Sequence, residues 1–170
     1  YAGHYGYDAF GVHAHSYYGT VNVDNSGTIT VEAYNGGTTI TSATFGGTAY
    51  GVWAQSLYDV NVSNSGLIDV TSTSYTLVGP SAMGVYADSI YGDTTVDNSG
   101  TINVLAEGFD IYYGPSATGV QAYSKYGDVT VTNSGEINVT AQEDAVGYLG
   151  GANATGVYAI GFYGDITVDN

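Results

Sequence analysis

Hydrophobic and polar residues alternate in short segments along this chain, and three such segments recur in a fixed order. The first contains Gly-Val-x-Ala, as at Gly84–Ala87. The second runs into an asparagine, as at Val129–Asn133, and the third follows a Ser-Gly pair, as at Glu136–Val139. A period of two is typical of half-buried β-strands. The pattern therefore predicts three short strands in each repeat.

The tripeptide Asn-Ser-Gly marks the repeats, and Gly-Val-x-Ala recurs in step with it. The tripeptide begins at Asn25, Asn64, Asn98 and Asn133, and Asn170 stands where a further copy would begin. The repeat units predicted from this spacing are approximately 1–27, 28–66, 67–100, 101–135 and 136–170. Together they are predicted to form one solenoid segment of a longer repeat protein.

One unit of this kind cannot bury its hydrophobic side alone. Stacking units about 4.8 Å apart pairs each strand with its copies above and below and encloses a narrow core. The sequence therefore predicts an all-β parallel solenoid of about five stacked units. The stretches of variable length between the third strand and the next Gly-Val-x-Ala are expected as loops on one edge. The spacing is compatible with one coil or with two coils in each repeat.

The combined pattern reads Gly-Val-Tyr-Ala, then Tyr-Gly-Asp-x-Thr-Val-x-Asn-Ser-Gly-x-Ile-x-Val. It resembles the passenger repeats of large autotransporter and haemagglutinin-like proteins of Gram-negative bacteria. The resemblance covers segments 11–31, 51–70, 84–104, 119–139 and 156–170. It implies a right-handed parallel β-helix that is exported through the outer membrane to the cell surface. It also implies a structural and adhesive role in adhesion, aggregation or biofilm formation.

Charge and composition narrow the range of partners. The net charge is −15, and Lys125 is the single basic residue apart from three histidines. Such a chain repels nucleic acids and anionic lipids. Cysteine is absent, so the fold has no disulfides, and no apolar run is long enough to cross a membrane in this segment. The expected partners are neighbouring copies or further repeats of the same protein, glycans, and host or bacterial surfaces.

The recurring asparagines are predicted to form a structural ladder at a turn. Stacked asparagine side chains can hydrogen-bond from one coil to the next. The glycine of each Asn-Ser-Gly is expected to supply a positive φ at that turn. The ladder residues are Asn25, Asn64, Asn98, Asn133 and Asn170.

Aromatic residues at the outward positions of the first strand are the candidate binding residues. Aromatic rings on a flat sheet can stack on sugar rings or pack against another molecule. Long loops that fold back over these rings would bury them instead, and the sequence does not decide between the two arrangements. The candidates are Trp53, Tyr86, Tyr123 and Tyr158, with Tyr112 and Tyr113 in a predicted loop.

Two groups of residues are weaker candidates for metal ligands. His13 and His15 lie two apart on a predicted strand, so both side chains point outward. Asp93, Asp128 and Asp165 follow Tyr-Gly in successive repeats and could form an acidic column that attracts Ca²⁺. Surface-exposed histidines and solvated turn aspartates are the preferred interpretation of both groups. We therefore expect no cofactor.

Catalysis is not expected. A carbohydrate-active β-helix is the enzymatic alternative, but a lyase of that kind would use Arg or Lys to abstract a proton, and the chain has only Lys125. Hydrolysis would require two carboxyl groups at a cleft. A further alternative is a self-assembling extracellular filament whose end coils pair head to tail.

Overall fold

The computed structural model describes residues 8–36, 47–75, 78–109, 113–144 and 151–170. Within these ranges the chain forms fourteen strands and no helix. The described ranges therefore contain no helix that is long and apolar enough to cross a membrane. The strands are β1 Ala9–Ser16, β2 Val21–Asn25, β3 Thr28–Asn35, β4 Thr48–Ser56, β5 Val60–Asn64, β6 Leu67–Ser74, β7 Ser81–Ser89, β8 Thr94–Asn98, β9 Thr101–Gly108, β10 Ser116–Ser124, β11 Val129–Asn133, β12 Glu136–Glu143, β13 Asn153–Gly161 and β14 Ile166–Asp169.

The strands form three parallel sheets, and each sheet takes at most one strand from each coil. Sheet A has the order β1-β4-β7-β10-β13, sheet B β2-β5-β8-β11-β14, and sheet C β3-β6-β9-β12. Equivalent residues pair from coil to coil, so Val120 lies between Val85 and Val157. Each repeat therefore forms one coil of three strands. The described ranges contain four complete coils and two strands of a fifth. The predicted right-handed parallel β-helix is confirmed.

Strands in sheets A and C are longer than the sequence pattern predicted. β12 continues to Glu143 instead of ending at Val139, and β7 begins at Ser81 instead of Gly84. The added inward positions carry small residues such as Ala106 and Ser74, which contribute little to a hydrophobic pattern. The loops expected at this edge are correspondingly shorter. Their central parts, 37–46, 76–77, 110–112 and 145–150, lie outside the described residues.

The core is a narrow column of stacked valine, isoleucine and alanine side chains. Val85 and Val120 from sheet A and Ile68 and Ile102 from sheet C are fully buried. Burial of one such β-branched side chain contributes about 1.5–3 kcal/mol. Because successive coils carry nearly the same inward residues, each coil covers the hydrophobic surface of the next.

The glycine of Gly-Val-x-Ala interrupts the alternation in sheet A. Gly51 and Val52 are buried in succession, so Tyr50 and Trp53 on either side of them both occupy the outer face. A Cβ at residue 51 would overlap the Ile68 side chain and lie 2.5 Å from the Gly84 carbonyl oxygen. Only glycine allows sheets A and C to approach this closely. The interruption also adds an aromatic position to the outer face.

The predicted asparagine ladder lies inside the turn between sheets B and C. Each Nδ2 donates to the Oδ1 of the next asparagine along the column, at 2.7 Å, 2.7 Å, 2.6 Å and 2.7 Å. Asn64 and Asn98 are almost completely buried. Buried amides that are satisfied in this way fix the register between coils.

The expected positive φ in this turn was wrong. None of Gly27, Gly66, Gly100 and Gly135 has a φ in the left-handed region. Glycine is required here for steric reasons, because a Cβ at residue 66 would overlap the backbone of Gly27 in the preceding coil. The same overlap recurs at residues 100 and 135.

Candidate binding surface

The outer face of sheet A brings side chains from all five coils into regular columns. In-register pairing places His13 beside Trp53, Trp53 beside Tyr86, and Tyr86 beside Gln121. A second column contains His15, Gln55, Asp88, Tyr123 and Ile160. The inward residues change little between coils, whereas these outward residues vary widely from coil to coil. This face is therefore the part of sheet A in which sequence variation changes the surface chemistry.

An aromatic patch covers the first three coils of this face and comprises Phe10, His13, Tyr50, Trp53 and Tyr86. The centroid of Trp53 lies 4.8 Å from Tyr50, 5.2 Å from Phe10 and 5.5 Å from Tyr86. The Phe10 and Tyr50 rings stack at 5.1 Å with an interplanar angle of 4°. These distances are in the range of favourable aromatic pairs. The rings therefore hold one another in place and form a preorganised surface.

A polar groove adjoins the aromatic patch between the third and fourth coils. It has a volume of about 390 Å³ and is lined by Tyr86, Asp88, Ile90, Gln121, Tyr123 and Lys125. Tyr86 belongs to both the patch and the groove. The groove combines two phenol rings with a carboxylate, an amide and an ammonium group. The polar groups can exchange hydrogen bonds with a bound molecule, and the two rings can pack against its apolar face.

Asp88 supplies the one carboxyl group in the lining of the groove. Its Oδ2 accepts hydrogen bonds from Gln55 Nε2 at 2.9 Å and from the Tyr86 hydroxyl at 3.4 Å. Burial raises the pKa of Asp88, and the two hydrogen bonds oppose that change only in part. Burial, followed by the charge of Asp88, raises the pKa of Tyr86 to about 12. Tyr86 therefore remains a neutral hydrogen-bond donor at physiological pH.

Two buried polar atoms on this face have no hydrogen-bond partner, namely Asp88 Oδ1 and Trp53 Nε1. An unpaired buried polar atom typically costs about 1–3 kcal/mol. Both atoms belong to residues that a ligand on this face would contact.

The aromatic candidates predicted from the sequence have different environments. Trp53, Tyr86 and Tyr123 are partly buried on the outer face, whereas Tyr158 is 51% exposed in the fifth coil. Tyr113 is exposed and lies near the start of β10, and Tyr112 lies outside the described residues. The contribution of Asp88, Gln121 and Lys125 was not predicted from the sequence. Asp88 and Gln121 share the outward register of Tyr123 and Tyr86 in neighbouring coils, and that register was their signal. Lys125 lies just beyond the end of β10 and had no such signal.

The histidine candidates lie against aromatic rings. His13 lies 5.1 Å from Phe10 and 5.2 Å from Trp53, and His15 meets Tyr17 edge to face at 4.5 Å. Across the described ranges, no group of three or more His, Cys, Asp or Glu side chains is arranged to hold a metal ion.

The predicted aspartate column exists, and it begins one coil earlier, at Asp59. The backbone N–H of Asp93, Asp128 and Asp165 each donates to the Oδ1 of the preceding aspartate, at 3.1 Å, 2.9 Å and 2.8 Å. The aspartate side chains are exposed. These hydrogen bonds to backbone N–H groups offset part of the repulsion between neighbouring carboxylates. Asp59 was missed because the turn of the second coil, 57–59, lacks the Tyr-Gly that marks the later turns.

Comparison with protein-family models matches residues 3–110 to the BigA third pectate lyase-like domain. The chain belongs to this family. The match covers the first three coils, which hold the whole aromatic patch. BigA-like domains occur in bacterial surface proteins, and the β-helix described above is the fold that the family name implies. No curated protein and no solved structure gives a significant match.

Proposed function

We propose that this BigA-like domain is a non-catalytic, adhesive shaft segment of an extracellular bacterial surface protein, and that it binds glycans through the outer face of sheet A. The observation that carries this proposal is the continuity of the aromatic patch with the polar groove through Tyr86. Export through the outer membrane by an autotransporter-type route belongs to the same proposal. It is supported by the recurring passenger-like repeats and by the family's occurrence in bacterial surface proteins.

The chemistry of this face suits a sugar chain. The C–H face of a pyranose packs on an aromatic ring, and its hydroxyl groups exchange hydrogen bonds with carboxylate and amide side chains. The patch offers the rings, and Asp88 and Gln121 offer the polar groups in the groove. A glycan that lies along the solenoid axis would cross one strand about every 4.8 Å. The net charge of −15 favours neutral over acidic glycans.

Binding without catalysis is supported by the groups that line the groove. Its lining contains one carboxylate, Asp88, and one lysine, Lys125. Glycoside hydrolysis ordinarily uses two carboxyl groups on opposite sides of the scissile bond. Asp88 is also held by Gln55 and Tyr86, an arrangement that suits a fixed hydrogen-bond acceptor.

The proposal is tested by measuring binding of the chain to a panel of immobilised neutral and acidic glycans. Trp53→Ala and Tyr86→Ala are each expected to weaken binding about tenfold, as for a central aromatic contact. The matched control is Tyr34→Ala, which removes an exposed aromatic ring from the outer face of sheet C. Circular dichroism verifies that each variant is folded.

Three results would contradict the proposal. If the chain binds no glycan of the panel, or if Tyr34→Ala weakens binding as much as Trp53→Ala, the outer face of sheet A is not the binding surface. Release of shortened sugar products during incubation would show that the domain is catalytic.

A further inference from the structure

A second aromatic feature lies in the turn between sheets A and B, next to the end of the polar groove that Lys125 lines. Tyr91, Tyr126 and Tyr163 from the third, fourth and fifth coils form a tyrosine ladder. Their rings stack with centroid distances of 5.6 Å and 5.2 Å and interplanar angles of 8° and 9°. The side chains are 62%, 47% and 74% exposed, so stacking leaves much of the ring surface uncovered.

The tyrosine ladder already accepts one ammonium group. Lys125 Nζ lies 5.1 Å from the centroid of the Tyr126 ring. This distance is within the limit of about 6 Å for a cation–π interaction. Lys125 is the single lysine or arginine of the chain, so no residue of this kind remains for the rings of Tyr91 and Tyr163.

The charge around the tyrosine ladder also favours cations. An aspartate follows each tyrosine by two residues, giving Asp93, Asp128 and Asp165. These carboxylates are exposed and lie in a regular column. Together with the net charge of −15, they attract positively charged molecules towards this edge and repel anions.

We propose that the tyrosine ladder binds an extended lysine- or arginine-rich peptide that runs along the solenoid axis. Alternate side chains of an extended peptide lie about 6.7 Å apart. Successive rings of the ladder are 5.2–5.6 Å apart, and the flexible lysine stem spans the difference of about 1.1–1.5 Å per step. Each basic side chain would place its charge over one ring, as Lys125 does over Tyr126. The aspartate column supplies the long-range attraction, and the rings supply the contact.

The test compares the affinity of a synthetic oligolysine for two triple variants by isothermal titration calorimetry at physiological ionic strength. Replacing Tyr91, Tyr126 and Tyr163 by leucine keeps the net charge and removes the aromatic rings. We expect affinity to fall about tenfold, because the two rings that Lys125 leaves open to a cation, Tyr91 and Tyr163, are lost. Replacement of the same residues by phenylalanine retains the rings and is expected to keep the affinity within about twofold.

A second comparison separates ring contacts from net charge. Lys125→Gln removes the ammonium that occupies the Tyr126 ring, so affinity for oligolysine should rise. The same substitution in the leucine background should give only the smaller gain due to one lost positive charge. Tyr34→Leu serves as the control for loss of an exposed tyrosine elsewhere.

The proposal is overturned if the leucine triple variant binds oligolysine as tightly as the unmodified chain. Binding would then depend on net charge alone. It is also overturned if Tyr34→Leu causes the same loss as the triple variant, or if Lys125→Gln raises affinity equally in both backgrounds.

Discussion

Asp88 introduces a carboxylate into a half-buried position on the outer face of sheet A. Its Oδ2 accepts two hydrogen bonds, whereas its Oδ1 is buried without a partner. Burial raises the pKa of Asp88 in the folded chain above the ordinary value of 3.8. The folded chain therefore binds a proton more tightly than the unfolded chain does. By linkage, the contribution of Asp88 to stability is present below pH 3.8 and is lost as the pH rises through the higher folded pKa.

Asp88→Asn is therefore expected to raise the midpoint of thermal unfolding at neutral pH. It should also remove the decrease in stability that ionisation of Asp88 causes as the pH rises. The asparagine side chain keeps an acceptor for Gln55 and Tyr86, and it carries no charge. Thermal unfolding followed by circular dichroism, at pH values from about 3 to 7, measures both effects. Asp97→Asn is the matched control, because it removes one exposed carboxylate from the same coil. Equal changes in the two variants would show that net charge, and not burial of Asp88, controls the pH profile.

At the scale of the strand and the turn, the Asn-Ser-Gly turn between sheets B and C requires glycine because the backbones of successive coils lie in close contact there. A Cβ at residue 66 would overlap the Gly27 backbone, whereas a Cβ at residue 27 would meet no atom within 4 Å. The two glycines occupy equivalent positions in successive coils. Substitution of each glycine by alanine therefore distinguishes steric overlap between coils from a requirement of the turn for a particular backbone conformation.

Gly66→Ala is expected to lower the free energy of unfolding by about 1–3 kcal/mol, because the added methyl group forces two coils apart. Gly27→Ala should change it by less than about 0.5 kcal/mol. Urea unfolding of both variants measures the difference. If the two substitutions were equally destabilising, the turn would require glycine for its backbone conformation.

The same elements show how far the sequence predicts the structure. Strands β11 and β12 were predictable because their inward valines and isoleucines alternate with polar residues. The ends of β7 and β12 were not, since inward alanine and serine give a weak hydrophobic signal. The asparagine ladder was predictable because one residue type recurs at one position. The polar groove was not, because it combines Asp88 from one coil with Gln121 from the next, and outward residues carry no hydrophobic periodicity.

At the scale of the whole molecule, repetition concentrates negative charge. A net charge of −15 is distributed over a stack in which equivalent acids such as Asp93 and Asp128 lie one above the other. Hydrogen bonds from the backbone satisfy individual carboxylates but do not remove their charge. Repulsion between coils therefore opposes the compact stack, and it should depend on ionic strength.

We expect the free energy of unfolding to rise by about 1–2 kcal/mol when monovalent salt increases from 0.01 M to 0.1 M, as the Debye length falls from about 30 Å to about 10 Å. Urea unfolding at several NaCl concentrations measures this increase. KCl at the same ionic strength should give the same result, because screening does not depend on which cation is present. A flat response, or a response to one salt alone, would contradict the electrostatic explanation.

The asparagine ladder also gives the shaft a direction. Every amide donates towards the following coil, so the side-chain dipoles are aligned head to tail and strengthen one another. The aspartate column runs the opposite way, with each backbone N–H donating towards the preceding coil. A coil added in the reverse orientation would oppose donor to donor in one column and acceptor to acceptor in the other. The two columns together therefore define a single polarity for the stack, and every coil that joins it must share that polarity.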